Sequence, residues 1–303
     1  MLVSTKPTPP PDRVVTHETI RSALDWGTAR LRQTPSSTPR LDAELLLSHA
    51  TDRTRTALLV WPDHTLTSDQ SAEFSRLIEQ RASGMPVAYL VGRRSFMELD
   101  LAVGPGALVP RPETELLVEW SRRLLSERSG GVVVDGGTGP GTIILALANH
   151  QPSSDFAFIG SDPSPDALAW ARQNRASLNL DATVHLVQGD LLTWFGGKAT
   201  LVTANLPYLR PDQIDGNWEL ANEPRLALDG GARGLELIER LVASMPPKLE
   251  RQGALALEID PSQSKPVVEL LQRHLPWLNA EVHQDLAGLD RFVTASPIAE
   301  NQR

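Results

Sequence analysis

The chain has 303 residues, of which 41% are hydrophobic and 22% charged, with a formal net charge of -8. That length suits one large or two unequal domains, and the apolar fraction excludes disorder as the global state. Residues 1–100 carry 12 Lys+Arg against 12 Asp+Glu, whereas residues 101–303 carry 17 against 25; an acidic main body speaks against stable binding of bare nucleic acid, which needs a cationic face.

The opening MLVSTKPTPPPDR has no apolar core behind its charges and reads as a flexible tail over 1–15, not as a signal peptide. No apolar run approaches the roughly 18 residues of a membrane span, so no membrane contact and a cytoplasmic location are expected. From Thr16 to about Ser83, leucines and aromatics recur mostly at helical spacing, with helix starts expected at Asp42 and Ser68, which predicts a helical domain over 16–85. Between Pro86 and Pro112, Val, Tyr, Leu and Phe alternate with polar residues around Gly92, Gly104 and Gly106. This predicts a β-hairpin linker over 86–112.

A helix is expected over 114–126, after which strands and helices alternate through a domain spanning 113–303. Strands are predicted at 132–134, 156–159, 184–187, 201–203, 254–259, 280–283 and 292–295, and helices at 142–149, 165–179, 235–245 and 263–274. Such alternation means an α/β domain with a mostly parallel sheet covered on both faces. The link between the last two strands, 285–290, is too short for a parallel crossover, so they should pair antiparallel at one edge.

Chemistry concentrates at the carboxyl ends of these strands. The first runs into Asp135-Gly136-Gly137-Thr138-Gly139-Pro140-Gly141 and then a helix, with Thr142 where the third glycine of a dinucleotide fingerprint would fall. An acidic residue heading the loop suits a ligand bearing positive charge better than a pyrophosphate. A tight βα turn is the plain alternative. Asp162 follows the next strand, where a carboxylate can accept both ribose hydroxyls or can simply cap a helix. Asp190 follows the third, placed to receive an adenine amine or to serve as an ordinary loop acid. Together they favour an adenosyl ligand.

After the fourth strand comes Asn205-Leu206-Pro207-Tyr208. The Asn205 oxygen and the Leu206 carbonyl can accept the two N–H bonds of a planar amide or amino group, with Tyr208 against its face. Two fixed acceptors favour the geometry in which the nitrogen lone pair is available and stabilise positive charge as it develops. A turn is the structural alternative. A chain with no cysteine offers no disulfide, thiolate nucleophile or Cys-ligated metal, and its seven histidines show no pair at metal-ligand spacing. No metal is expected.

The glycine loop, the Asn205–Tyr208 string, Pro110-Arg111-Pro112-Glu113-Thr114-Glu115, the run 223–231 and the run 285–291 together resemble the HemK/PrmC family, and the resemblance extends over nearly the whole chain after residue 16. It implies a seven-stranded Rossmann-like methyltransferase sheet behind an N-terminal helical substrate-recognition domain. It also implies S-adenosylmethionine as cofactor and methylation of a glutamine side-chain nitrogen (N5) in the Gly-Gly-Gln motif of peptide chain release factors. Asp135, Gly136, Gly137, Thr138, Gly139, Gly141, Asp162, Asp190 and Asn205 would then hold the cofactor, and Asn205, Leu206, Pro207 and Tyr208 the target. Leu206 stands where that family usually has proline, and Gly136 and Pro140 where it has an apolar and a small polar residue. The Asn-Leu-Pro-Tyr form also resembles ribosomal RNA adenine dimethyltransferases, so methylation of an adenine N6 stays open. So does a non-catalytic release-factor or ribosome adaptor.

Overall fold

The computed structural model describes residues 17–151 and 155–297. The expected tail over 1–15 and Thr16 lie outside the described residues. The chain forms two compact units, one up to Val91 and one from Gly92 onward.

The first unit is helical: α1 (Ile20–Leu31), α2 (Pro39–Thr51), α3 (Arg55–Val60), α4 (Ser68–Ala82) and α5 (Val87–Val91). Thr19 and Thr67 close capping boxes at α1 and α4, satisfying backbone N–H groups the helices cannot pair themselves. Ile20, Leu24, Leu46, Leu47, Phe74, Leu77 and Ile78 fill its core. The helix expected to begin at Asp42 begins at Pro39, whose ring presets the first-turn backbone. Asp42 instead lies inside it, accepting the Ser36 and Thr38 hydroxyls and pairing with Arg81 at 2.8 Å in a buried ion pair.

The expected hairpin is shorter than its alternation suggested. Residues 87–91 form α5, because Pro86 opens a helical turn whose carbonyl accepts the Tyr89 and Leu90 N–H groups. Only β1 (Arg93–Phe96) and β2 (Leu99–Ala102) pair, antiparallel.

The second unit continues through α6 (Thr114–Ser126), β3 (Gly130–Gly136), α7 (Thr142–His150), β4 (Asp155–Asp162), α8 (Pro165–Ser177), β5 (Val184–Gln188) and β6 (Ala199–Ala204). After a one-turn helix α9 (Pro211–Ile214) come α10 (Glu236–Ser244), β7 (Leu249–Glu258), α11 (Ser264–His274), β8 (Leu278–Gln284) and β9 (Asp290–Pro297). The seven-stranded sheet has the order β5-β4-β3-β6-β7-β9-β8, parallel except for β9. The last two strands do pair antiparallel, with β9 inserted between β7 and the edge strand β8.

Alternation along each strand supplies two cores. Val134, Val202 and Leu255 point to the face covered by α10 and α11, and Val133, Leu201 and Ala254 to the face covered by α6 and α7. Strand order reverses between β3 and β6, so the loops leaving their carboxyl ends diverge and open a crevice there. The hairpin belongs to this unit: the Asn174 amide on α8 bridges the Ala102 N–H and carbonyl, at 2.7 and 3.0 Å. Among the described residues no helix is long and apolar enough to cross a membrane.

Candidate active site

A cavity of about 280 Å³ occupies this switch point, lined by the glycine loop after β3, Asp162 after β4, Asp190 after β5 and Asn205-Leu206-Pro207 after β6. Pro110 and Arg111 ahead of α6, Thr114 at its first position, Pro224 and Leu226, and Leu237 and Arg240 of α10 also line it. Of the residues expected from sequence, Gly137, Thr138, Gly139, Asp162, Asp190, Asn205, Leu206 and Pro207 line the cavity. Asp135, Gly136, Gly141 and Tyr208 do not.

Two glycines show why the loop needs its composition. Gly137 has φ +73° and packs so closely that an added Cβ would come within 2.9 Å of Leu206 Cδ2. Gly139 has φ +57°, and a Cβ there would meet nothing within 4 Å; a side chain at this position would instead fill the cavity the backbone leaves open. Gly136 ends β3, buried, and Gly141 caps α7 against Leu145 and Ala171.

Asp135 lies beneath the loop. It is 1% exposed, and Thr203 Oγ1 donates to its Oδ1 at 2.7 Å. Burial pushes its carboxyl up to about 7, with the Thr138 and Thr203 hydroxyls pulling the other way and Asp162 adding to the rise. Its contact with a cationic ligand, expected from the sequence, gives way to a place under the turn.

Asp162 is more than a helix cap. Its Oδ2 accepts the Gly139 N–H and its Oδ1 the Ser164 N–H, each at 2.8 Å, so one carboxylate ties the glycine loop to the entry of α8. The cap of α8 itself is Ser164. Burial raises the Asp162 carboxyl above its ordinary value, and those two N–H groups oppose the rise. Each oxygen retains a second lone pair for a hydroxyl in the cavity. Asp190 is half exposed, and Arg240 of α10 donates to its Oδ2. The acid expected to meet an adenine amine thus already has a cationic partner at the cavity wall.

The Asn205 side chain belongs to a network that sequence reasoning missed. Asn205 Nδ2 donates to Thr114 Oγ1 at 3.2 Å, and Thr114 Oγ1 donates to Glu258 Oε2 at 2.5 Å. The Tyr208 hydroxyl donates to the other oxygen, Glu258 Oε1, at 3.2 Å. Tyr208, expected against the face of a target, is therefore turned to Glu258 by its hydroxyl, and burial beside that carboxylate raises its own proton affinity. Glu258 is 3% exposed; burial pushes it up to about 7, against the pull of its two hydroxyl donors. A carboxylate ending the apolar run 254–257 was a usable signal, the same one that pointed to Asp135, Asp162 and Asp190.

Another buried acid braces the segment that carries Arg111. Glu223 accepts the Val109 N–H at 3.0 Å and pairs with Arg111 at 2.5 Å, holding the segment before α6 against the 223–227 turn. Among the described residues no group of acids and histidines is arranged to hold a metal ion.

The PrmC N-terminal domain family matches residues 22–92, and a methyltransferase domain family matches residues 127–205. The release factor glutamine methyltransferase of Moorella thermoacetica is 38% identical over 279 residues, covering 91% of this chain and 98% of that protein. The enzyme of the same name from Mycolicibacterium smegmatis is 37% identical, covering 93% and 99%. Among solved structures, the hMettl16 catalytic domain in complex with MAT2A 3'UTR hairpin 6 superposes with a TM-score of 0.52 at 14% identity, over 66% of this chain and 77% of that one, a likeness of fold alone. With such identity sustained across both units, the chain belongs to the release factor glutamine methyltransferase family, built on the S-adenosylmethionine-dependent methyltransferase fold.

Proposed function

We propose that this protein transfers a methyl group from S-adenosylmethionine to the side-chain amide nitrogen (N5) of a glutamine in peptide chain release factors. The observation that carries this reading is a single cavity joining two kinds of wall: bare glycine backbone with Asp162 on one side, and the Asn205 amide on the other. The residues suit the cofactor. Gly139 leaves room against the backbone, Asp162 offers lone pairs to a ribose, and the wall is otherwise largely apolar, as an adenine ring requires. When bound, S-adenosylmethionine supplies a methyl group already activated by the positive charge on its sulfur.

The chain's own work is then orientation. Nδ2 of Asn205 is engaged by Thr114, which leaves Oδ1 as the acceptor for one N–H of the target amide; the Leu206 carbonyl takes the other. Leucine keeps the carbonyl that proline would offer, and its side chain, packed on Gly137, supplies rigidity in place of the ring. These acceptors stabilise the charge that grows on nitrogen, and proton loss follows transfer, so no strong base is needed. Residues 16–85 would recognise the release factor, residues 86–112 connect, and residues 113–303 carry the transfer.

An adenine amine makes the same hydrogen-bonding demands, so the Asn205 region alone does not separate the two substrates; the two relatives described above, both named release factor glutamine methyltransferase, favour the amide. The test is incubation with labelled S-adenosylmethionine and purified release factors, followed by mass spectrometric mapping. Label on a Gly-Gly-Gln glutamine is expected, with Asn205→Ala inactive but still binding cofactor. Label on RNA alone would reverse the reading, and no cofactor binding would leave an adaptor.

A further inference from the structure

We propose that Glu258 is a positioning residue which, through the Thr114 hydroxyl, decides whether the Asn205 amide presents its oxygen or its nitrogen to the target. The inference rests on the proposed role of Asn205. An ionised carboxylate only accepts, so Glu258 takes a proton from Thr114 on one oxygen and from Tyr208 on the other. A threonine hydroxyl has a single proton. Once it is committed to Glu258, Thr114 Oγ1 can only accept, and its remaining neighbour, Asn205, must turn its NH₂ toward it. Oδ1 then faces the other way, as an acceptor.

Protonation reverses the sequence. A neutral Glu258 carries an O–H that can donate to Thr114, which frees the threonine proton for Asn205; the amide is then stabilised the other way round, with NH₂ toward the target. Two N–H groups facing each other cannot bind. Burial pushes the Glu258 carboxyl up to about 7, so the switch falls near neutral pH. The charged and titratable groups around it are Arg111 and Glu113 ahead of α6, Tyr208 after β6 and Arg291 on β9; Arg111 favours the ionised form and Glu113 opposes it, while Arg291 interacts with Glu113 and Tyr208. None of the four lies between Glu258 and Thr114, which are in direct contact.

The full-length protein tests this in two ways. Side-chain amide NMR of the free protein, with the Asn205 signal assigned by its loss in Asn205→Ala, needs no reaction. That signal is expected to titrate near neutral pH in the wild type and to stop doing so in Glu258→Gln and Thr114→Val. A pH-invariant Asn205 amide in the wild type overturns the inference. Methyl transfer supplies the second readout: Thr114→Val should lower kcat about tenfold, the scale of one hydrogen bond, with cofactor affinity within about twofold, and should lose the acid-side fall in kcat. Thr114→Ser, which keeps the hydroxyl, should restore both. A Thr114→Val enzyme with wild-type kcat and pH profile, or one that serine fails to rescue, overturns the inference. A titrating Asn205 in a protein that methylates no glutamine supports the network and refutes the proposed substrate instead.

Discussion

Replacing Asp135 by Asn should change how stability depends on pH, because this acid is held beneath the glycine loop with its charge almost fully desolvated. An unfolded aspartate loses its proton near 3.8, whereas here burial pushes the value up to about 7. Between those values the unfolded chain sheds a proton that the native state keeps. Stability therefore declines as pH rises through that window and levels off above about 7. At about 1.36 kcal/mol per pH unit, a gap of roughly three units makes ionised Asp135 cost the fold about 4 kcal/mol, most of it still absent at about pH 5. Asparagine cannot ionise. Its NH₂ in place of the second oxygen adds an offset of either sign, but one that does not vary with pH. Urea unfolding of both proteins at constant ionic strength, followed by tryptophan fluorescence and circular dichroism, isolates the effect as a difference. The stability of Asp135→Asn relative to wild type should grow by about 2–3 kcal/mol between about pH 5 and pH 8. A difference that stays flat across that range would show that Asp135 titrates as an ordinary surface acid and that the loop does not shield it.

Three further outcomes follow from the same site. Gly137→Ala should cost about 1–2 kcal/mol in thermal unfolding, from φ +73° and the 2.9 Å approach to Leu206 Cδ2; adding Leu206→Ala should recover the contact but not the backbone cost, and full recovery would contradict the conformational argument. Asp162→Ala removes the acceptor of the Gly139 and Ser164 N–H groups, so calorimetry should show S-adenosylmethionine binding at least about tenfold weaker, and unchanged affinity would remove Asp162 from the cofactor site. Arg111→Ala leaves the buried Glu223 carboxylate with only the Val109 N–H; with Arg111 itself a third exposed, the expected loss is about 2 kcal/mol, and a melting temperature within a degree of wild type would mean that solvent replaces the guanidinium.

Most of the second unit was legible because its signals are local. Each parallel strand is a short apolar run and each helix carries its own periodicity, so 132–134, 156–159, 184–187 and 201–203 all lie within observed strands. The misread stretch, 87–91, shows the limit. Five residues too uniformly apolar to show a period form a helix because Pro86 starts a turn, and so short an apolar run does not separate the two states. Asp42 shows a related limit: its residue type suits a helix start, but Pro39 fixes the start three residues earlier and the carboxylate pairs with Arg81, 39 positions away.

By itself, then, the sequence determined the alternating architecture, the placing of carboxylates and an asparagine at strand ends, and the family. Periodicity and motif spacing are properties of contiguous residues. Tertiary structure decided which of those groups reach the cavity and which support it. Asp135 and Asp162 head successive loops and look equivalent in sequence, yet one is sealed under the turn while the other opens onto the cavity. Thr114, Asn205 and Glu258 come from α6, the loop after β6 and the end of β7, with Thr114 separated from Asn205 by 91 positions and from Glu258 by 144. Hydrogen-bond direction depends on such convergence, because a proton shared among three side chains has no signature in any one stretch of chain.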